Sequence, residues 1–558
     1  MDRIPLRVGL VLDSFDQPRW VHTLLSGLRT EDETEITVIL RLPTKSSKAP
    51  IAGSVLTGLY GALDRALFAR QTDALTMTDL SNSIAGIDVI SEPGDASLQA
   101  PRESPRVKLT DEVSTFLTDR ADVLLDLVPL GRPTPDEAPI PILAFRPRDT
   151  PISDASIGLY EVLNRAPHTD AVVERIAPGN GRRVVYHAYC STHPYSAHIT
   201  HRNLVAKAPD LFMREIRRLK SGRSLSAPLE PIDRPSSPTK ERSRSAIATG
   251  QALLRLAGRA AAHRCRATVL RSQWGLAYRF ESHLPWDRPP IRHLEGFARL
   301  APPKDKLWAD PFPVTEDGRR YMFLEELPYK SRIGHISVME FVNGSWTTPV
   351  PVIERDYHMS YPFPFRWKGD WYLMPETAAI RALEVYRARR FPLEWELHDR
   401  PLIDVPIVDA TVENIDGQWW MFASVGEDIG TAWDSLYLFK GLSPLGPWTP
   451  HGNNPIRVDI RSSRPAGRLF RRMGRWYRPS QDCSHAYGYA VVINRIDHIG
   501  DDEYRETPVA RLEPDFASGA LGHHTFNVAD GLSVIDVRTY RNRYPFLYPR
   551  QQGSCRPT

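Results

Sequence analysis

The 558-residue sequence lacks several features that would identify a chemistry at once. Its four cysteines (Cys190, Cys265, Cys483 and Cys555) are widely spaced and form no CxxC pair, which excludes the usual pattern of a structural zinc site. No HExxH motif, Cys/His cluster or EF-hand loop occurs, so we predict neither a metal nor a cofactor. No run of about 18 apolar residues occurs either, so no membrane-spanning helix is predicted.

A strong charge of one sign is also lacking. Lys and Arg total 71 and Asp and Glu total 67, which gives a net charge of +4. This balance argues against a dedicated nucleic-acid surface. The N-terminus has no apolar signal-peptide core, and the isolated cysteines suit a reducing compartment, so a cytoplasmic address is predicted. The sequence leaves the oligomeric state open.

Composition changes along the chain predict two folded parts. Residues 1–220 alternate strand-like apolar runs with helical segments, which favours an α/β domain with a parallel sheet. Residues 221–272 form a linker rich in Pro, Ser and Arg that ends in an Ala/Leu/Arg-rich helix. Residues 273–545 are β-rich, and residues 546–558 form a tail. The basic helix is expected to join the domains, with weak peripheral membrane contact as the alternative.

One short phrase recurs in the β-rich part. An opening position is followed by a glycine and then an aromatic residue at constant spacing, from 310 to 321, 361 to 372 and 409 to 420. A fourth copy runs from Arg464 to Tyr477, and a possible fifth from His523 to Asp536. Each copy is typical of a β-hairpin with a tight turn. Five such units at intervals of about 50 residues predict a five-bladed β-propeller, because each unit must bury its face on its neighbours.

The same phrases resemble a known family of propellers. They are similar to furanosidase-like glycoside hydrolases of families 43 and 32, and more closely to the N-terminal domain of glucosamine inositolphosphorylceramide transferases. The matching phrases are Trp308–Phe312, His358–Phe363, Met374–Glu376, Asp409–Thr411, Arg464–Phe470 and Arg478–Cys483. The resemblance covers about residues 290–540 and implies a carbohydrate-active protein.

The first 220 residues resemble a different family, the methionyl-tRNA formyltransferase-type domain, through Gly158–Leu163 and Val184–Tyr186. Formyl transfer in that family relies on an Asn-His pair and a later Asp. The corresponding stretch, Ala144–Asp149, has neither Asn nor His, so the resemblance implies a degenerate scaffold without a base or an oxyanion stabiliser. The pairing of the two halves resembles bacterial proteins that look carbohydrate-related.

Two carboxyl groups are needed for glycoside cleavage, one as acid and one as base or nucleophile. The furanosidase pattern implies an Asp opening the first blade, which Asp310 matches, and an Asp in a middle blade, which Asp409 matches. Its third acid has no counterpart, because the inner segment of blade four offers Arg464 and Arg468 instead. Either Glu376 is the acid, or the pocket binds an anionic sugar or sugar phosphate through Arg464.

Further candidates for sugar binding surround these residues. His358 and His524 lie near the starts of inner strands, and Tyr361 opens the second blade, which predicts contacts with hydroxyl groups or ring faces. Gln481 and Asp482 end the second strand of blade four and are hydroxyl-binding candidates. The structural alternative for each is an ordinary packing or turn-capping role.

Three functions remain open from the sequence. The first is glycosyl transfer or glycoside hydrolysis on an anionic sugar or glycosyl donor in glycan or glycolipid assembly, with Asp310 as base or nucleophile. The second is a non-catalytic glycan-binding or scaffolding protein, which the missing acid of blade four supports. The third is formyl or acyl transfer to an amino sugar, against which the missing Asn-His-Asp set argues.

Overall fold

The structure is a computed structural model of the chain. It describes residues 4–42, 54–70, 73–92, 106–129, 134–135, 138–148, 157–178, 181–222, 246–280, 296–426, 431–516 and 519–543. Most of the predicted linker (223–245), the predicted tail and Asp149 therefore lie outside the described residues.

An α/β domain forms the first part of the chain. Its helices are α1 (Arg19–Thr30), α2 (Ser54–Phe68), α3 (Asp111–Arg120), α4 (Leu159–Asn164), α5 (Ala197–Val205) and α6 (Ala208–Lys220). Its strands are β1 (Leu6–Leu12), β2 (Asp16–Pro18), β3 (Thr34–Arg41), β4 (Met77–Asp79), β5 (Asp88–Ser91), β6 (Arg106–Val107), β7 (Val123–Asp126), β8 (Thr134–Pro135), β9 (Ile142–Pro147), β10 (His168–Ala177) and β11 (Gly181–Ser191).

The main sheet of this domain has the strand order β11-β10-β9-β7-β1-β3-β5. The strands from β9 to β5 are parallel, whereas β10 and β11 are added antiparallel. Helices α1 and α6 pack on one face of the sheet and α3 on the other, which buries the apolar runs of the central strands on both sides. The predicted parallel sheet is confirmed, and the likeness to a formyltransferase domain stays a prediction.

The β-rich part consists of five antiparallel sheets. Helix α7 (Ala246–Val269) leads into β12 (Leu270–Phe280) and β13 (Ala298–Leu300). Blade one contains β14 (Lys306–Glu316), β15 (Arg319–Pro328), β16 (His335–Val342), β17 (Ser345–Trp346) and β18 (Val350–Ile353). Blade two contains β19 (Ser360–Trp367), β20 (Asp370–Glu376), β21 (Ala382–Arg390) and β22 (Glu394–Ile403). Blade three contains β23 (Ile407–Ile415), β24 (Gln418–Val425), β25 (Ser435–Gly441), β26 (Trp448–Pro450) and β27 (Arg457–Val458).

Blade four contains β28 (Phe470–Arg472), β29 (Arg475–Asp482), β30 (Ala490–Ile499) and β31 (Tyr504–Leu512). Blade five combines β32 (Ala520–Gly522), β33 (Phe526–Ala529) and β34 (Leu532–Asn542) with β12 and β13 from the start of the propeller. Strand β12 pairs with β34 over its whole length, from Leu270 opposite Asn542 to Phe280 opposite Leu532. The predicted five-bladed propeller is confirmed, and its ring is closed by joining the two ends of the repeat in one blade.

The opening position of each of the first three hairpins is a β-bulge. Asp310, Tyr361 and Asp409 have φ angles of 50°, 45° and 53°, a left-handed conformation that is uncommon for residues other than glycine. The pairing register of each hairpin shifts across this position. A bulge turns a side chain away from the regular alternation of the strand, and these three side chains contact residues of neighbouring blades.

Gly467 provides a close approach between blades four and five. Its φ is 126°, and a Cβ there would lie 2.2 Å from the carbonyl oxygen of Phe526. We expect Gly467→Ala to lower the free energy of unfolding by about 3 kcal/mol or more, measured by chemical denaturation. Gly474→Ala is the matched control, because its φ is 75° but a Cβ there meets nothing within 4 Å. That variant should lose only about 1 kcal/mol, and equal losses would contradict the close approach.

The two domains share a packed boundary at blades three and four. Tyr189 of β11 forms a parallel bridge with Asp459, and Val458 belongs to the apolar core of the α/β domain. Lys207 and Asp434 form an ion pair of 2.7 Å whose side chains are only 1% and 0% exposed. Among the described helices, none is long and apolar enough to cross a membrane.

Candidate active site

Asp310 is held by three blades. Its Oδ1 accepts a hydrogen bond from the Thr525 hydroxyl at 2.6 Å, and its Oδ2 accepts one from the Tyr361 backbone N–H at 3.2 Å. The Nε2 atom of His524 lies 3.8 Å from the same carboxylate. Burial raises the pKa of Asp310 to about 6, and the negative charges of Asp409 and Asp536 contribute to the rise. Asp310 therefore changes its charge close to neutral pH.

Asp409 is the second buried carboxylate at the centre. Its Oδ2 accepts hydrogen bonds from Arg464 Nε at 2.6 Å and from Gln481 Nε2 at 3.0 Å. The Nη2 atom of Arg464 lies 3.9 Å from Glu376 Oε2. Burial opposes the charge of the guanidinium, but Asp409 and Glu376 hold the pKa of Arg464 well above its usual range. Arg464 is thus a fixed cation that a protein carboxylate already neutralises.

Glu325 and Glu376 occupy equivalent positions in the second strands of blades one and two, each opposite the residue before the bulge. Burial raises the pKa of both well above the usual range, and the neighbouring carboxylates Asp310 and Asp409 raise it further. The Oε2 atom of Glu376 is buried, and a hydrogen bond between the protonated Glu376 carboxyl and Asp409 also raises the pKa of Glu376. The surroundings of both glutamates therefore favour the protonated form.

Blade five contributes a histidine that is paired with an aspartate. His524 Nδ1 contacts Asp536 Oδ2, and the His524 backbone N–H donates to Asp536 Oδ1 at 2.8 Å. Burial would lower the pKa of His524, but the charges of Asp536 and Asp310 raise it above its usual value. Its ring stacks on Trp274 with the centroids 4.1 Å apart. The two aspartates therefore favour the cationic form of His524, and the Trp274 ring supports the imidazole from one face.

The ligand atoms of Asp310, His524 and Asp536 lie within 4.8 Å of one another. Of the described residues, this cluster has the spacing that a metal ion requires. Within this cluster, His524 Nδ1 and Asp536 Oδ2 already contact each other as an ion pair. The predicted absence of a metal stays a prediction.

Aromatic side chains border the charged residues. The Arg464 guanidinium lies 5.1 Å from the centroid of the Tyr487 ring, and the Trp433 ring lies 5.3 Å from Tyr487. Trp433 and the side chain of His358 are both more than one-third exposed, at 37% and 38%. These residues mark the side of the site that faces solvent.

The structure brings most of the predicted site residues together. Asp310, Glu376, Asp409, Arg464, Gln481 and His524 form one contiguous buried cluster. His358 lies at its edge, with Nε2 3.5 Å from Glu325 Oε1, and its Nδ1 accepts a hydrogen bond from the Gly334 N–H.

Two predicted sugar contacts have other roles. Tyr361 is fully buried, and its hydroxyl bonds Thr411 and the Gly467 N–H at 2.7 Å each, so it joins blades two, three and four beneath the site. Asp482 pairs with Arg511 of β31 at 2.9 Å and thus points away from the central cluster. Both side chains thus make structural contacts, and the expectation that they contact a sugar stays a prediction.

Four members of the cluster were not among the predicted site residues: Glu325, Thr525, Asp536 and Tyr487. The sequence did point to Glu325, because it follows the opening position of its hairpin at the same spacing as Glu376 does. Asp536 had a signal too, because it ends the possible fifth copy of the phrase, and it contacts His524 and Thr525 of the same hairpin.

Residues 299–529 match the family described as "Glucosamine inositolphosphorylceramide transferase 1, N-terminal". The glucosamine inositolphosphorylceramide transferase 1 of Oryza sativa subsp. japonica is 37% identical over 206 residues, which cover 36% of this chain and 28% of that protein. The Arabidopsis thaliana protein of that name is 32% identical over 246 residues, which cover 42% and 32% of the two chains. The chain thus spans about a third or less of the curated relatives it matches, and these plant proteins do not support the predicted bacterial origin.

Solved structures with a similar arrangement include glycoside hydrolases. Zg3597, a family 117 enzyme of Zobellia galactanivorans, has a TM-score of 0.31 at 12% identity and covers 48% of this chain and 90% of its own. The family 43 enzyme CoXyl43, from a compost metagenome, has a TM-score of 0.30 at 13% identity and covers 42% and 90%. All nine predicted site residues lie within the range that is similar to the N-terminal part of glucosamine inositolphosphorylceramide transferases.

Proposed function

We propose that the central cluster of the propeller transfers a glycosyl group by acid–base chemistry, with Glu376 as the acid and Asp310 as the base or nucleophile. The observation that carries this proposal is the contrast between the two carboxyls. Burial and the charge of Asp409 favour the protonated form of Glu376 by raising its pKa well above the usual range, whereas the pKa of Asp310 is about 6. Two carboxyl groups whose surroundings separate their pKa values are the arrangement that glycosyl transfer requires.

Asp409 serves the acid indirectly in this proposal. Its charge beside Glu376 raises the pKa of the Glu376 carboxyl, and its own position is fixed by Arg464 and Gln481. Removal of that charge would let Glu376 lose its proton more readily. Asp409 is therefore a positioning residue that keeps the acid in its active form.

The substrate class is inferred from the part of the Arg464 guanidinium that Asp409 does not bind. Arg464 uses Nε for Asp409, so a phosphate or carboxylate group would meet the Nη edge that faces Glu376. This arrangement supports an anionic sugar or glycosyl donor. The matched relatives are named inositolphosphorylceramide transferases. That name supports transfer to a lipid with an inositol phosphate group over hydrolysis.

The pH profile tests the base. Asp310 must be ionised to act, so kcat/KM should fall about tenfold per pH unit below the Asp310 pKa of about 6. Activity should be lost again at alkaline pH, when Glu376 gives up its proton. The measurement is the release of leaving groups from a panel of sugar nucleotides and nitrophenyl glycosides. Asp310→Asn should remove about 10²–10⁴-fold of the activity, and a flat profile across acid pH would contradict the assignment.

A non-catalytic glycan-binding protein is the second candidate. It is favoured by the ion pairs Asp409–Arg464 and His524–Asp536, which already occupy two of the carboxylates. Under this alternative, sugars raise the melting temperature of the wild type and of Asp310→Asn equally, and neither protein turns over any donor.

A further inference from the structure

Helix α2 carries its apolar side chains on the outside of the molecule. Val55, Leu59, Leu63 and Leu67 are 60–74% exposed, and Leu56 is 40% exposed. With the exposed Ala62 and Ala66, these residues cover a continuous arc of roughly 140° of the helix at 100° per residue. An arc of this width is normally covered in a soluble domain, so a larger surface is expected to meet it.

Polar residues occupy the opposite, inward side of the same helix. Asp64 is 3% exposed and accepts a hydrogen bond from the His198 backbone N–H at 2.8 Å. The Tyr60 hydroxyl accepts one from the Ala197 N–H at 3.2 Å. Both partners lie at the start of α5, so the inward side is fixed by specific contacts. The outward direction of the leucines is therefore built into the fold.

Helix α7 packs beside α2 and adds positive charge. Its 24 residues contain four arginines and no Asp or Glu. Arg255, Arg264 and Arg266 are exposed, as are the apolar residues Ile247 and Leu254. Because the acidic residue of α2, Asp64, is buried, neither helix has an exposed acidic side chain among its described residues.

We propose that α2 and α7 form a docking surface for an anionic membrane, with the leucines of α2 among the acyl chains and the arginines of α7 at the lipid phosphates. Interfacial helices bind by combining an apolar face with basic residues in this way. A second copy of the chain fits the surface less well, because a symmetric contact would bring the same arginines together. The surface is formed by α2 of the α/β domain and by the neighbouring α7, and its binding to a membrane does not depend on catalysis in the propeller.

Vesicle sedimentation with the full chain tests the proposal. We expect binding to vesicles that contain phosphatidylserine, no binding to pure phosphatidylcholine, and weaker binding as salt is added. Leu59→Glu/Leu63→Glu should reduce the bound fraction about tenfold, and Arg255→Gln/Arg264→Gln should reduce it on anionic vesicles. Leu442→Glu is the matched control, because Leu442 is an 83% exposed leucine of the propeller and should bind like the wild type.

Several outcomes would overturn the proposal. The first is no sedimentation with either vesicle, and the second is equal binding by wild type and Leu59→Glu/Leu63→Glu. The third is a dimer in solution that Leu59→Glu/Leu63→Glu dissociates, which would assign the surface to self-association. A measurement on the wild type alone provides a check that needs no variant: anionic vesicles should slow amide hydrogen exchange in α2, and neutral vesicles should not.

Discussion

Glu376→Gln is expected to lower kcat for glycosyl transfer by about 10²–10⁴-fold and to leave the fold intact. The substitution keeps the size and neutrality of a protonated carboxyl, which is the form that burial and the Asp409 charge favour at Glu376. It removes only the ability to donate a proton to the leaving group. The measurement pairs turnover of a sugar nucleotide with thermal unfolding, and the melting temperature should change little.

The leaving group distinguishes an acid from a merely structural residue. A nitrophenyl glycoside needs little protonation, so Glu376→Gln should lose much less activity on it than on an alkyl glycoside. Glu413→Gln is the matched control, because burial raises the pKa of Glu413 to about 7 but it lies further along the inner strand of blade three. Equal losses on both leaving groups would contradict the role of Glu376 as the acid.

Lys207→Met is expected to reduce the free energy of unfolding by about 3–5 kcal/mol. The variant leaves Asp434 buried without its cation and also removes the hydrogen bond from Lys207 to the Thr431 carbonyl. Burial raises the folded-state pKa of Asp434 even with Lys207 present. Because the folded state then binds a proton more tightly than the unfolded state, the variant should lose stability as pH rises above about 4. Chemical denaturation at acid and neutral pH measures both effects.

A surface ion pair supplies the comparison for Lys207. Lys440 and Asp501 are also 2.7 Å apart, but their side chains are 40% and 62% exposed. Lys440→Met should therefore have little effect on stability. The double variant Lys207→Met/Asp434→Leu should recover much of the loss, since no unpaired charge remains. Equal losses for Lys207→Met and Lys440→Met would show that the buried pair does not hold the domains together.

Much of the propeller could be predicted from the sequence, because each blade is a local hairpin whose turn and aromatic strand leave a repeated pattern. The phase of that pattern correctly placed Asp310 and Asp409 at the centre, and it related Glu376 to Glu325. The composition of blade five could not be predicted. Its strand β12 pairs with β34 across more than 250 residues, from Phe280 opposite Leu532 to Leu270 opposite Asn542, and long-range pairing leaves no local signature.

Neighbouring residues on one strand show a second limit. Gln481 and Asp482 were predicted as a pair, but successive side chains of a strand point to opposite faces. Gln481 reaches Asp409, whereas Asp482 reaches Arg511. The sequence pattern located the end of β29 and could not decide which of the two residues faces inward.

The three bulges have the same backbone geometry but carry different side chains. Asp310, Tyr361 and Asp409 adopt the same backbone conformation in successive blades, so equivalent positions of the ring accommodate different side chains. Tyrosine is less suited to this left-handed conformation than aspartate. The two hydrogen bonds of the Tyr361 hydroxyl to other blades offset the strain. The chemical group that a blade presents at this position can therefore differ by one residue, whereas the backbone geometry of the three bulges is the same.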